Sequence, residues 1–226
     1  MDACFRDRRE AGQALAQKLH SYVGRDDVIV LALPRGGVPV GYEIASRLGA
    51  PLDVFIVRKL GVPGHGELAM GAIASGGIRV VNKDVLQYLP NAELILDAVV
   101  AKEEPEIERR EREYRDGHPM PRLGGKIVIL VDDGLATGAT MRAAVAALRQ
   151  HDAAKIVVAV PVGAPETCRE FEKEVDETIC AITPEEFYGV GQFYEDFSQT
   201  SDEEVRELLA AAANEPRERH RSVAPQ

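Results

Sequence analysis

Apolar residues in this chain occur in two kinds of stretch, and their alternation predicts a layered α/β protein. Short, mainly apolar runs cover 28–33, 52–57, 127–131 and 155–160, broken only by Asp53 and Lys155. They lack the regular polar alternation of a half-exposed strand, so they read as strands buried on both faces. A run at 177–182 reads as the last strand. Between these runs the apolar positions recur at helical spacing. Phe5, Gly12, Leu15, Leu19 and Tyr22 share one face of a predicted helix over 4–22. Val40, Ile44 and Leu48 mark a second helix, and Met141, Ala144, Val145 and Leu148 fall at i, i+3, i+4 and i+7 of a third. Strand and helix in alternation predict an α/β fold with a parallel sheet flanked by helices.

Four segments depart from that rhythm. Residues 61–67 are glycine-rich and loop-like, and 68–73 and 78–82 read as short strands joined across Ser75, Gly76 and Gly77. Residues 64–69 match a GxGxxA dinucleotide pattern, but Pro63 precedes it and a strand-like pattern follows where a helix is needed, which excludes that site. Residues 91–116 read as one long helix whose acids and bases pair at i, i+4, among them Glu108 with Arg112 and Glu111 with Arg115. From Val100 onward, through its charged second half, the large apolar residues recur only as Val100, Ile107 and Tyr114, a thin stripe suited to a crossover helix or a dimer contact. Residues 183–197 gather Phe187, Tyr188, Phe193, Tyr194 and Phe197 in an irregular stretch. Such aromatics either stack on a flat ring or pack the C-terminal segment on the core. A final helix over 198–213, capped by Ser201, completes a single domain over 1–213, and 214–226 reads as a disordered tail.

A chain of 226 residues with 45% hydrophobic content can fill one large α/β core. Its formal charge of −10 argues against nonspecific nucleic-acid binding, which needs a basic surface. Cys4, Cys168 and Cys180 have an odd count and no CxxC spacing, the pattern of reduced thiols in a cytoplasmic protein. The N-terminal residues lack an apolar signal core and no run reaches membrane-spanning length, so a soluble cytoplasmic protein is expected, with no membrane partner.

Residues 126–141 carry the chemistry. The apolar run 127–131 is followed by Asp132 and Asp133, then by Gly134, Leu135, Ala136, Thr137, Gly138, Ala139 and Thr140 leading into a helix. A strand, a small-residue turn and a helix N-terminus make an anion site, because free backbone N–H groups and the helix dipole converge there. The two carboxylates beside it are suited to accepting hydrogen bonds from sugar hydroxyls. Anion donors next to sugar acceptors suggest a ribose phosphate.

This stretch resembles the phosphoribosyl pyrophosphate (PRPP) signature of the type I phosphoribosyltransferases, with a match running from Ile127 to Thr140. The resemblance implies a type I phosphoribosyltransferase-like parallel sheet with a small hood and a flap. It also implies transfer of the 5-phosphoribosyl group of PRPP to a nucleobase or other nitrogen acceptor with release of pyrophosphate. By it, Ala136, Thr137, Gly138, Ala139 and Thr140 are expected at the 5-phosphate, and Asp132 and Asp133 at the ribose. Arg35, Gly36 and Gly37, at another strand-to-helix junction, become the expected pyrophosphate loop, and Arg58 and Lys59 the cations that stabilise the departing pyrophosphate. Because side chains alternate along a strand, only one of the last two is expected to point inward. Mg²⁺ would be held largely by PRPP oxygens and water, with Asp132 and Asp133 the candidates for direct contact. The flap is expected at 61–67 or in the hairpin after it, and the hood at 1–23, at 183–200 or in both. Family habit suggests a homodimer.

One departure bears on the acceptor. Hypoxanthine–guanine enzymes place an aspartate where this chain has Ala136, and neither the uracil-reading motif nor the paired lysines of an orotate enzyme is found. The acceptor is therefore left open. Two other classes fit the same site: a PRPP-binding sensor without turnover, and a phosphatase or hydrolase acting on a ribose-phosphate ligand.

Overall fold

The computed structural model describes residues 4–215. In chain order these are α1 (Arg8–Lys18), β1 (Val28–Ala32), α2 (Gly37–Leu48), β2 (Leu52–Val54), β3 (Val57–Val62), β4 (His65–Ala74) and β5 (Ile78–Val81). There follow α3 (Lys83–Leu86), α4 (Ala92–Tyr114), β6 (Ile127–Val131), α5 (Ala139–Leu148), β7 (Lys155–Val162), α6 (Pro165–Glu174), β8 (Glu177–Ile182) and α7 (Asp202–Asn214). Five strands form a parallel sheet in the order β2-β1-β6-β7-β8, and β3, β4 and β5 form a separate antiparallel sheet.

The two faces of the parallel sheet are covered by different helices. Leu15 and Leu19 at α1 and Val40, Ile44 and Leu48 of α2 pack on Val30, Ile129, Val131 and Val157. Met141, Ala144, Val145 and Leu148 of α5, with Phe171 of α6, pack on Leu31, Val128, Leu130 and Val158. Residues adjacent along β1 and β6 thus serve opposite cores, which is why these runs carry no polar alternate positions. The helix after β1 lies on one face and the helix after β6 on the other. A crevice therefore opens between the carboxyl ends of these neighbouring strands, where doubly wound sheets bind ligands.

The run at 52–57 does not form one strand. β2 pairs with β1 only as far as Val54, opposite Ala32, and Phe55 N–H still donates to the Ala32 carbonyl at 2.9 Å. Ile56 then exchanges bonds with Ser75, whose Oγ accepts from Ile56 N–H at 2.9 Å, so the chain has already crossed to the small sheet. Arg58 and Lys59 consequently stand in β3, not at the end of a parallel strand. The loop expected over 61–67 is likewise corrected: Val62 pairs with His65, so Pro63 and Gly64 make a tight turn between β3 and β4. The glycines in this stretch serve a hairpin and its register shifts.

The long helix is present as α4, buried along Val100, Ile107 and Tyr114 as its spacing predicts. That stripe packs on Ile56, Leu60 and Ile73 of the small-sheet region and on Val205 and Leu208 of α7. Arg115, at its C-terminus, is buried. It donates from Nε to Asp53 at 3.1 Å and from Nη2 to the Val54 carbonyl at 2.8 Å, and its Nη1 bonds Glu111 at 2.8 Å. Ser201 caps α7, its Oγ accepting from Glu204 N–H at 3.0 Å. Asn214, expected in the tail, ends α7, and Tyr42 donates to Glu215 at 2.7 Å. The rest of the expected tail lies outside the described residues. Among the described residues no helix is long and apolar enough to cross a membrane.

The cysteine expectation is overturned. Cys168 of α6 and Cys180 of β8 form a disulfide, and Cys4 is free and exposed. The two sulfurs are 12 residues apart in sequence and meet because α6 folds back onto the strand that follows it, with Cα atoms 6.6 Å apart.

Candidate functional site

At the carboxyl ends of β1 and β6 the chain supplies two junctions side by side. Ala32 is opposite Val131, and Leu33 N–H donates to the Val131 carbonyl at 2.8 Å. Arg35, Gly36 and Gly37 follow on one side, Asp132 and Asp133 on the other. Their contact is close: a methyl group added to Gly36 would lie 2.0 Å from Asp133 Oδ2. Only a residue without a Cβ lets the turn lie against the carboxylate. Asp133 N–H donates to Asp132 Oδ1 at 2.9 Å, which fixes the two acids relative to each other.

Burial raises the Asp132 carboxyl well above its ordinary range, and the neighbouring Asp133 charge pushes it the same way. Burial also raises Asp133, opposed by its bond to Arg8. That bond runs from Arg8 Nε to Asp133 Oδ2 at 2.8 Å, with both side chains largely shielded. Tyr194 donates from its hydroxyl to the Asp133 carbonyl at 2.6 Å. Sequence reasoning placed Arg8 on a packing helix and missed this role. The one available hint was an arginine beside Asp7, the residue that caps α1 by accepting from Glu10 N–H at 2.9 Å.

The turn after the acids is held from below. Gly138 adopts φ +73° as it enters α5, a conformation that favours glycine, and an added Cβ would come within 2.6 Å of Phe171. Arg142 donates from Nη1 to the Thr137 carbonyl at 2.8 Å, and Thr167 donates to the Ala136 carbonyl at 2.7 Å. With carbonyls 136 and 137 engaged underneath, Ala136, Thr137, Ala139 and Thr140 remain exposed. The first-turn N–H groups of α5 have no intrahelical acceptor.

The expected cations separate. Arg58 is ion-paired with Glu103 of α4. Lys59 instead borders a cleft of about 530 Å³ between the small sheet and α5, which Ala139 and Thr140 also line. Arg35 turns its guanidinium toward Asp202 at the start of α7, 3.7 Å away.

The phosphoribosyl transferase domain family matches residues 7–198. This chain belongs to that family. Two Mycobacterium tuberculosis proteins that carry the provisional name phosphoribosyl transferase are 48% identical to it over 208 residues, 92% of this chain. The match covers 47% of those relatives, so the chain spans about half their length. The crystal structure of TT1426 from Thermus thermophilus superimposes with a TM-score of 0.82 at 40% identity, covering 92% of this chain and 98% of that one.

Family members typically use Mg²⁺, and the acids present fit such an ion. They offer two adjacent carboxylates, and among the described residues no group of three or more metal-ligating side chains stands together. That donor set suits a hard ion that keeps waters and takes its remaining oxygens from a phosphorylated ligand.

Proposed function

We propose that this phosphoribosyl transferase family member transfers the 5-phosphoribosyl group of PRPP to a nitrogen acceptor and releases pyrophosphate. The observation that carries the reading is the meeting, in one crevice, of the acid pair, the turn at Gly36 and the exposed N-terminus of α5. The α5 turn offers backbone donors to a 5-phosphate. Asp132 and Asp133 accept from the ribose hydroxyls and face the positive charge that grows at C1 as its bond to pyrophosphate breaks. The departing oxygen keeps the bonding electrons, and the acceptor nitrogen forms the new bond to C1 and gives up its proton. The turn at Gly36 and Gly37, which packs on the acid pair, forms the pyrophosphate loop, while Lys59 supplies a cation from the small sheet. Bound Mg²⁺ would neutralise phosphate charge as pyrophosphate leaves. Arg35 and Arg58 remain proposed pyrophosphate contacts that must leave Asp202 and Glu103 to act.

The test is pyrophosphate release from PRPP with Mg²⁺, screened over a panel of nucleobases and other nitrogen compounds. Asp133→Asn is expected to reduce that release at least about a hundredfold with an unchanged circular-dichroism spectrum. Wild-type-like kinetics in this variant would remove the ribose-binding role. PRPP binding without turnover on any acceptor would favour a sensor, and phosphate release without acceptor a hydrolase.

A further inference from the structure

Arg8 makes three contacts that no other described residue combines. Its Nε bonds the Asp133 carboxylate, and its Nη1 donates to the Ser198 carbonyl at 2.7 Å. Its guanidinium carbon, Cζ, lies over the Phe197 ring, 4.1 Å from the centroid. Phe197 in turn packs on Tyr194, ring centroids 5.1 Å apart, and Tyr194 bonds the Asp133 carbonyl. The chain entering α1 runs beside the same segment: Phe5 N–H donates to Phe193 O at 3.1 Å, Glu195 N–H to Phe5 O at 2.9 Å and Asp196 N–H to Arg6 O at 2.8 Å. Residues separated by 125 positions and by 190 positions are thus joined through one side chain.

Resting on the function proposed above, we infer that Arg8 is a positioning residue that couples the ribose-binding acid to the 193–198 segment. Its planar fork holds Asp133 in one orientation and, through Phe197 and Ser198, fixes the aromatic segment 193–198 at the same time. Filling the ribose site therefore tightens the 193–198 segment, and loosening that segment frees the acid. A guanidinium is required, because a lysine ammonium reaches one of the two oxygens and presents no plane to Phe197.

The experiment compares the full chain with Arg8→Ala and Arg8→Lys by calorimetric PRPP–Mg²⁺ titration and by segment-resolved hydrogen exchange. In the wild type, PRPP is expected to slow exchange both at 132–140 and at 193–198. In Arg8→Ala the affinity is expected to fall by about tenfold to a hundredfold, and the slowing at 193–198 to disappear while that at 132–140 persists. Arg8→Lys keeps the charge and is expected to behave like Arg8→Ala at 193–198, which also serves if the alanine variant misfolds. Unchanged affinity, or slowing at 193–198 in either variant, would overturn the inference. A wild type that binds no PRPP would defeat the proposed function instead. The tether is then judged from unliganded proteins, where equal exchange at 193–198 in wild type and variant would reject it.

Discussion

At the scale of single residues the site is organised by what lies against Asp133. Gly36 has helical backbone angles that alanine adopts without strain, so Gly36→Ala tests contact alone. The added methyl would lie 2.0 Å from Asp133 Oδ2 and 2.7 Å from its Cγ, so the carboxylate must swing aside and give up its bond to Arg8. The melting temperature is therefore expected to fall, and PRPP affinity to drop at least about tenfold, read by calorimetry. Asp132 supplies a pH test. Its folded carboxyl is raised above the unfolded value, so its contribution to stability is intact below the ordinary aspartate range and is lost as pH rises through the folded value. Asn carries no such cost and its Oδ1 can still accept from Asp133 N–H. The melting temperature of Asp132→Asn is therefore expected to exceed wild type near pH 8, with the gain shrinking as pH is lowered toward about 4. A pH-independent difference would show that Asp132 is not ionised at a cost.

At the scale of elements, the turn at 136–138 rests on α6 as much as on its own helix. Thr167 and Phe171 of α6 reach Ala136 and Gly138, and the neighbouring Cys168 ties α6 to β8. Reducing this disulfide removes a short loop closure and is expected to lower stability by about 2–4 kcal/mol. Melting curves with and without dithiothreitol check this, and thiol titration of the unreduced, folded protein should count Cys4 alone. The spacing of Cys168 and Cys180 held no such hint, because proximity of a helix to the strand after it is a packing outcome. The β2-to-β3 crossing is a similar case. The run 52–57, apolar but for Asp53, reads as one strand, yet Ser75 captures the Ile56 backbone and divides it between two sheets.

At the scale of the whole molecule, the anionic ligand proposed above would approach a chain of formal charge −10. The long-range field therefore opposes PRPP, and affinity must come from local donors and from cations that travel with the ligand. Removing Mg²⁺ with EDTA is expected to weaken PRPP binding at least about tenfold and to abolish pyrophosphate release. Equal binding with and without the metal would show that the acids meet the ribose without help from an ion.

The sequence by itself determined the layers, the helix and strand faces, and the stretch 127–140, because periodicity and glycine placement are local properties of the chain. It could state that only one of Arg58 and Lys59 faces a given side, but not which, nor that β3 would carry them away from the parallel sheet. Only tertiary structure brought Arg8 and Tyr194 to Asp133 and Cys168 to Cys180. Those contacts arise from how separate elements settle on a shared core, and nothing in local residue order records which distant side chain will arrive.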